Sequence, residues 1–203
     1  MKHLRSIWFI AALALTLAAC NVDTPEPGLE DTPTTQASYP LDWPVTGIVT
    51  SNIHESQRPL HNGIDIGGAR IHGDPVYAAY GGKVIKRAYH PISGNIVEIR
   101  HKSSREGEAY VTRYHHLSAF SVRQGANVRQ GQKIGEVGNT GKSFGAHLHF
   151  EVRRGPANIT DGFRGDPIDW DDSIPRGTKV TAKRPIPFSF RGLSGGTPSC
   201  ETE

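Results

Sequence analysis

The sequence predicts an all-β domain made of short antiparallel strands. Glycine and proline are frequent, at 23 and 14 of 203 residues, and this favours a turn-rich β structure over a helical bundle. Short apolar runs are bounded by Gly or Asn-Gly breakers, and apolar and polar residues partly alternate over 96–100. No segment carries the sustained 3.6-residue apolar stripe of an amphipathic helix. The length suits one medium domain with appendages.

The N-terminus, residues 1–19, is predicted to be a lipoprotein signal peptide. Lys2 and Arg5 form a positive region, and the apolar run 7–17 is too short for a comfortable membrane span. The run ends in Leu17-Ala18-Ala19-Cys20, which resembles the lipobox of bacterial lipoproteins and makes Cys20 the expected lipidation site. An ordinary secretory signal with an incidental cysteine is the alternative.

Residues 20–42 are predicted to be the lipidated cysteine followed by a disordered tether. The segment is rich in Thr, Pro, Glu and Asp and has few apolar residues to offset its ordering entropy. As a random coil, the segment would have an r.m.s. end-to-end distance of roughly 25 Å. We therefore expect a lipid-anchored protein of the bacterial cell envelope. Asn21 after the cysteine, by resemblance, favours the outer membrane facing the periplasm where two membranes exist.

Residues 43–170 carry the β-type pattern and are predicted to form the folded domain. Seven strand-like runs alternate with glycine turns: 47–51, 76–79, 82–89, 95–101, 109–115, 133–137 and 147–153. After Trp170 the signal weakens, and the proline-rich segment 171–203 is predicted to be an extended tail. Phe188 and Phe190 are candidates for docking this tail on the domain.

The charge balance gives no reason to expect a nucleic acid partner. The formal net charge is +3, but residues 1–19 hold two of the basic residues and no acid, which leaves 21 basic against 20 acidic residues. We expect a monomer without nucleic acid, attached to the membrane only through its anchor.

The strand 147–153 places two histidines side by side. Side chains of a strand alternate between its two faces. His147, His149 and Glu151 are therefore expected on one face. The other face carries the apolar residues Leu148, Phe150 and Val152. This geometry suits a metal ligand next to a proton-transfer group. A pair of surface histidines is the alternative that this stretch alone leaves open.

A second stretch, His61-Asn62-Gly63-Ile64-Asp65, offers a histidine and a carboxylate four residues apart. The glycines at 63, 67 and 68 disfavour a helix, so both side chains are expected to project together from extended chain. With one histidine of the strand they give a two-His, one-carboxylate set. That set, with its fourth position left for water, is typical of catalytic zinc.

A third stretch, Tyr114-His115-His116-Leu117, makes the combination specific. Together with Pro75–Ala79 and Gly135–Gly141, these motifs make the chain from about Gly47 to Trp170 resemble the lysostaphin/LytM-type zinc endopeptidases, the M23 peptidases. The resemblance implies antiparallel sheets that form an open groove, of the duplicated-hybrid-motif type. It also implies a zinc cofactor and peptidoglycan as the substrate.

The resemblance assigns the zinc ligands to His61, Asp65 and His149. It places His116 and His147 in the cleft as catalytic residues, one as the general base and the other stabilising the oxyanion. Sequence alone does not separate the two roles, although we favour His147 as the base. No H-E-x-x-H motif is present to supply a glutamate base.

Three positions beside these residues differ from the rest of the match. His115 falls at the variable position of the family motif, and strand alternation is expected to point it away from His116. Phe144 and Ala146 stand where the family often has Thr and Pro, and this difference is expected to alter the shape of the cleft.

Two functions follow from these expectations. The first is a zinc-dependent endopeptidase that cuts an amide of the peptidoglycan cross-links close to the membrane. The second is a LytM-like regulator that binds and activates a cell-wall amidase, but relatives of that kind have lost metal ligands, whereas this chain retains them. The bond that is cut, such as a D-alanyl–diaminopimelate link or a glycine bridge, is left open.

Overall fold

The computed structural model describes residues 41–53, 60–168 and 174–187. The predicted signal peptide, Cys20 and almost all of the predicted tether lie outside these residues, as do Phe188 and Phe190. No helix within the three segments is long and apolar enough to cross a membrane.

Antiparallel strands dominate the described residues, in which a 3₁₀ turn at Gly162–Arg164 is the only helical element. The all-β prediction is therefore confirmed. The strands are β1 (Gly47–Ser51), β2 (Ile64–Gly67), β3 (Pro75–Tyr77), β4 (Gly82–His90), β5 (Gly94–Lys102), β6 (Glu108–Leu117), β7 (Ala119–Phe120), β8 (Asn127–Val128), β9 (Lys133–Glu136), β10 (His147–Pro156), β11 (Asp166–Pro167) and β12 (Lys179–Val180).

The strands form two sheets. The larger has the order β12-β1-β2-β10-β6-β5-β4-β8, with β11 also paired to β10, and the smaller has the order β3-β9-β7. Strand β10 therefore lies between β2 and β6 and joins the three stretches that the sequence singles out. His149 pairs with Asp65 on one side and with His115 on the other.

The two faces of β10 differ as the alternation predicts. Leu148, Phe150 and Val152 are fully buried in the hydrophobic core, where the Phe150 ring lies 5.4 Å from that of Tyr114. Each such side chain contributes roughly 1.5–3 kcal/mol by leaving water. The opposite face is thus held on a rigid support.

Part of the predicted tail packs against the domain. In the segment 174–187, β12 pairs with β1, and both Ile174 and Ile186 are buried in the core. The Ile186 amide donates to the carbonyl of Leu41 at 2.7 Å, so the segment also fixes the start of the domain. The apolar residues of this segment are too widely spaced to produce a strand pattern, and for this reason the sequence does not reveal the packing.

Candidate metal centre

The side chains of His61, Asp65 and His149 converge on one point. His61 Nε2 lies 2.9 Å from Asp65 Oδ1 and 3.0 Å from His149 Nδ1, and His149 Nδ1 lies 2.8 Å from Asp65 Oδ1. All three residues are buried. The three ligands predicted from the sequence thus meet in space, although His149 is 88 residues from His61 and 84 residues from Asp65 along the chain.

Strand pairing and one glycine bring these groups together. Asp65 on β2 lies directly opposite His149 on β10, so both side chains project from the same face. Between His61 and Asp65 the chain passes close to β10 at Gly63. A Cβ at Gly63 would overlap the carbonyl oxygen of Phe150 and would lie 2.9 Å from His149 Nε2. Only glycine allows this approach.

The donors fit a zinc ion. Nitrogen and carboxylate donors at about 2.0–2.2 Å from a four-coordinate zinc lie roughly 3.3 Å from one another, so the three groups need to separate by only a few tenths of an ångström. His61 Nδ1 contacts the carbonyl oxygen of Asn52 at 2.5 Å, and because a carbonyl only accepts, the Nε2 lone pair is directed at the centre. The donor set and its spacing therefore match a zinc site.

Without a metal the centre binds a proton. Burial by itself would lower the pKa of His149, but hydrogen bonds to Asp65 and Glu151 raise it to about 9. Burial would raise the pKa of Asp65, yet the hydrogen bond from His149 holds it well below its ordinary value. A cation at this point replaces the proton on His149 Nδ1.

Glu151 orients His149 from the side opposite the donors. His149 Nε2 lies 3.0 Å from Glu151 Oε1, which gives a carboxylate–histidine pair behind the metal-facing nitrogen. Arg113 and Arg153 each donate to Glu151 Oε2 at 2.6 Å. Arg113 also donates to the fully buried Glu98 at 2.8 Å, so the buried carboxylates and guanidinium groups are paired.

A second group of possible donors, His115, His149 and Glu151, lies beside the first. It is a poor cation site because two guanidinium groups already neutralise the Glu151 carboxylate, and their charge would repel a metal ion. The electrostatics therefore favour His61, Asp65 and His149 as the candidate cation site.

The two cleft histidines lie next to this centre. The ring centroids of His116 and His147 are 4.7 Å apart, and His147 Nε2 lies 3.6 Å from Asp65 Oδ1. His116 Nδ1 donates to the carbonyl of Thr140 at 2.8 Å, and His147 Nδ1 donates to that of Gly145 at 2.9 Å. Burial lowers the pKa of His116 to about 4, so its imidazole is neutral at pH 7.

The expectation that His115 points away from His116 is wrong, because the centroids of the two rings lie 6.1 Å apart. His116 has a φ of 61°, in the left-handed region, and pairing between β5 and β6 shifts register just beside it. Alternation is interrupted there, so both His115 and His116 face the groove. The His115 ring lies 4.9 Å from that of His149, and burial lowers its pKa well below the ordinary value.

Two cavities flank the candidate metal centre. The first, of about 390 Å³, is lined by residues that include His61, His149 and Ile92, and the second, of about 440 Å³, is lined by residues that include Asp65 and His147. His116 and Lys142 line both. An extended substrate lying across the centre would therefore place one part in each cavity.

Sequence reasoning misses Glu151 and Lys142. Glu151 shares the predicted face of β10 with His149, and this is a usable signal. Its two arginine partners could not be inferred, since the pairing of Glu151 with Arg113 depends on the β6–β10 register. Lys142 follows a glycine turn, and no feature of the sequence places it at the groove.

Similar proteins connect this geometry to known relatives. The chain matches peptidase family M23 over residues 59–169. It is 46% identical over 100 residues to the peptidoglycan DD-endopeptidase ShyA of Vibrio cholerae, across 48% of this chain and 22% of that protein. It is 33% identical over 142 residues to the murein hydrolase activator NlpD of Salmonella dublin, across 68% of this chain and 34% of that protein.

A solved structure shows the same likeness. The crystal structure of a zinc-containing peptidase from Vibrio cholerae matches with a TM-score of 0.50 at 36% identity, across 65% of this chain and 39% of that chain. The matches to the first four curated relatives span only 20–26% of the length of those proteins. The likeness is thus to one domain of longer chains.

Proposed function

Because the chain belongs to peptidase family M23, we propose that it is a zinc-dependent peptidoglycan endopeptidase that hydrolyses amide bonds of the cell-wall cross-links. The observation that carries this proposal is the convergence of His61, Asp65 and His149 within 3.0 Å of one another, beside two further histidines. The similarity to a peptidoglycan DD-endopeptidase supports the choice of substrate.

A zinc ion held by His61, Asp65 and His149 would supply Lewis-acid activation of a water molecule and of the scissile carbonyl. His147 is the proton acceptor in this proposal. Its Nδ1–H donates a hydrogen bond to the Gly145 carbonyl, so Nε2 carries a free lone pair. This Nε2 lies 3.6 Å from Asp65 Oδ1, the oxygen that would bind the metal. The same nitrogen then returns the proton to the leaving amine.

We propose for His116 a part that differs from the one expected. Its Nδ1–H donates a hydrogen bond to the Thr140 carbonyl. The neutral ring therefore has only a lone pair at Nε2 and cannot donate a hydrogen bond to an oxyanion there. We assign His116 to accepting a hydrogen bond from the attacking water, which orients that water next to His147. The sequence-based expectation that one histidine stabilises the oxyanion is not supported by this hydrogen bond.

A regulatory role is the second candidate, because the chain is also similar to a murein hydrolase activator. A module that only binds and activates an amidase needs no metal donors and no cleft histidines. Their joint presence in one groove favours the enzyme.

One experiment separates the two functions. Purified residues 41–203, loaded with zinc, should release soluble fragments from cell-wall sacculi, and His149→Ala should abolish this release. Protein that binds no zinc when zinc is offered, leaves sacculi intact and accelerates a cell-wall amidase would support the regulator instead.

We further propose that Cys20 carries a lipid anchor and that the predicted tether holds the domain near the membrane. The tether would end at residue 40 and not at 42, because Leu41 is buried in the core and Asp42 pairs with Pro185. The signal-like residues 1–19 and the lipobox-like sequence support this proposal. Cys20→Ser should move the protein from the membrane fraction to the soluble fraction. Unchanged fractionation would contradict the anchor.

A further inference from the structure

Lys142 is the only lysine or arginine among the described residues that line the two cavities. It lies on the loop between β9 and β10 and contacts both cavities, as His116 does. Its position is therefore at the boundary between the cavities, beside the point where the scissile amide must lie if the proposed function is correct.

The loop that carries Lys142 is fixed relative to the catalytic groups. The Lys142 amide donates to the carbonyl of Ile92 at 2.9 Å, and the preceding Thr140 carbonyl accepts from His116 Nδ1 at 2.8 Å. Gly141, with a φ of 73°, contacts Gly94 so closely that a Cβ would overlap the Gly94 amide nitrogen. The backbone of Lys142 thus has one position with respect to His116.

The Lys142 ammonium group has no acidic partner among the described residues. Two other lysines of the described segments do have acidic partners, Lys133 with Glu136 at 2.8 Å and Lys86 with Asp161 at 3.2 Å. Within the groove, Asp65 contacts His61 and His149, and Glu151 contacts two arginines. Among the residues that the structure describes, Lys142 is therefore the one cation of the groove that is free to bind an anion of the substrate.

We infer that Lys142 binds a carboxylate carried by the amine side of the scissile amide, an inference that rests on the proposed endopeptidase function. A lysine next to the scissile bond reaches groups within about one residue of it, because its side chain extends roughly 6 Å. In a D-alanyl–diaminopimelate link, the carbon that bears the scissile nitrogen also bears a free carboxylate. In a glycine bridge the corresponding carboxyl is part of the next amide. Lys142 therefore selects links of the first kind.

The test compares two cross-linked muropeptide dimers that differ only at this carboxyl group, which is free in one and amidated in the other. For the zinc-loaded wild type we expect kcat/KM to be about 10- to 100-fold higher on the free acid, as for loss of a charge-assisted hydrogen bond. Lys142→Met should remove this preference by slowing cleavage of the free acid, and Lys142→Arg should retain most of it. Lys133→Met, on β9 outside both cavities, is the matched control and should behave as the wild type.

Binding provides a second measurement that does not depend on turnover. On a His147→Ala background, the free-acid dimer should bind more tightly than the amidated dimer, and Lys142→Met should equalise the two dissociation constants. Equal cleavage and binding of both dimers by protein with an intact Lys142, or a preference that survives Lys142→Met, would overturn the inference while the endopeptidase function stands. A wild type that cleaves neither dimer would overturn the proposed function and the inference with it.

Discussion

The floor and the rim of the groove are built on opposite principles. The floor consists of Asp65, His149, Glu151 and the arginines Arg113 and Arg153, all buried and all in contact with groups of opposite charge. The rim is the loop 138–146, on which the Phe144 side chain is fully exposed. Buried charges are stable only when they are paired, so the floor is fixed in one arrangement. On the rim only the exposed side chains, such as that of Phe144, can adapt to a ligand, because the backbone there is held by hydrogen bonds.

The two histidines of β10 give the sharpest form of this comparison, since His149 belongs to the floor and His147 to the edge of the rim. His149→Gln should lose both stoichiometric zinc and hydrolysis of sacculi, because one of three donors is removed. His147→Gln should retain about one zinc per chain and lose roughly 10²- to 10⁴-fold in kcat. Metal analysis and muropeptide release measure the two effects. Loss of zinc from His147→Gln would show that the two positions do not have separate roles.

The metal-free floor should respond to pH. The pKa of His149 is raised in the folded protein to about 9, so its contribution to stability is full below the unfolded value near 6.5 and is lost as pH rises through 9. Between pH 7 and 9.5 the free energy of unfolding should therefore fall by about 2 to 3 kcal/mol.

Urea unfolding of metal-free protein at several pH values measures this fall. His149→Gln is the control and should show a flat profile over the same interval, and saturating zinc should also remove the pH dependence. A wild type whose stability is constant from pH 7 to 9.5 would mean that His149 does not share a proton with its two carboxylates.

Glu151 tests whether the floor acts on the metal through His149. Glu151→Gln removes the charge that faces His149 Nε2, and the zinc dissociation constant should rise about 10- to 100-fold, as for other partners of metal-binding histidines. Glu136→Gln, an exposed carboxylate paired with Lys133, is the matched control. Competition with a chelator measures the affinity, and circular dichroism checks that the variant is folded. A folded Glu151→Gln protein with wild-type affinity would limit the network to a structural role.

The smallest effects are expected at the rim. Phe144→Ala should change the free energy of unfolding by less than about 0.5 kcal/mol, because the side chain is fully exposed. Zinc binding should be unchanged, whereas KM for wall fragments should rise about 5-fold if the ring contacts substrate with roughly 1 kcal/mol. Tyr89→Ala, another exposed aromatic outside both cavities, should leave KM unchanged. A substantial loss of stability in Phe144→Ala would contradict the distinction between floor and rim.

Much of the fold could be predicted because the pattern of β10 is local. Alternation along 147–153 gives the strand, its buried face and the histidine face, and the strands on either side follow from runs bounded by glycine. The juxtaposition of His61 and Asp65 with His149 follows from the motifs taken together. Their assignment as ligands remains a prediction, which the convergence of the donor atoms supports.

The rest depends on contacts that are not local in sequence. The direction of the His115 side chain follows from the positive φ of His116, which is stabilised by the Ser93 and Thr140 carbonyls. The pairing of Glu151 with Arg113 depends on strand register, and the burial of Ile186 depends on contact with Leu41. None of these can be inferred from periodicity, because each is decided by a neighbour that is distant along the chain.

The most direct test of the central claim is anomalous diffraction at the zinc absorption edge from crystals of the zinc-loaded protein. We predict a single strong peak within bonding distance of His61 Nε2, Asp65 Oδ1 and His149 Nδ1. A peak bonded to other residues, or no peak at this point in saturating zinc, would contradict the account.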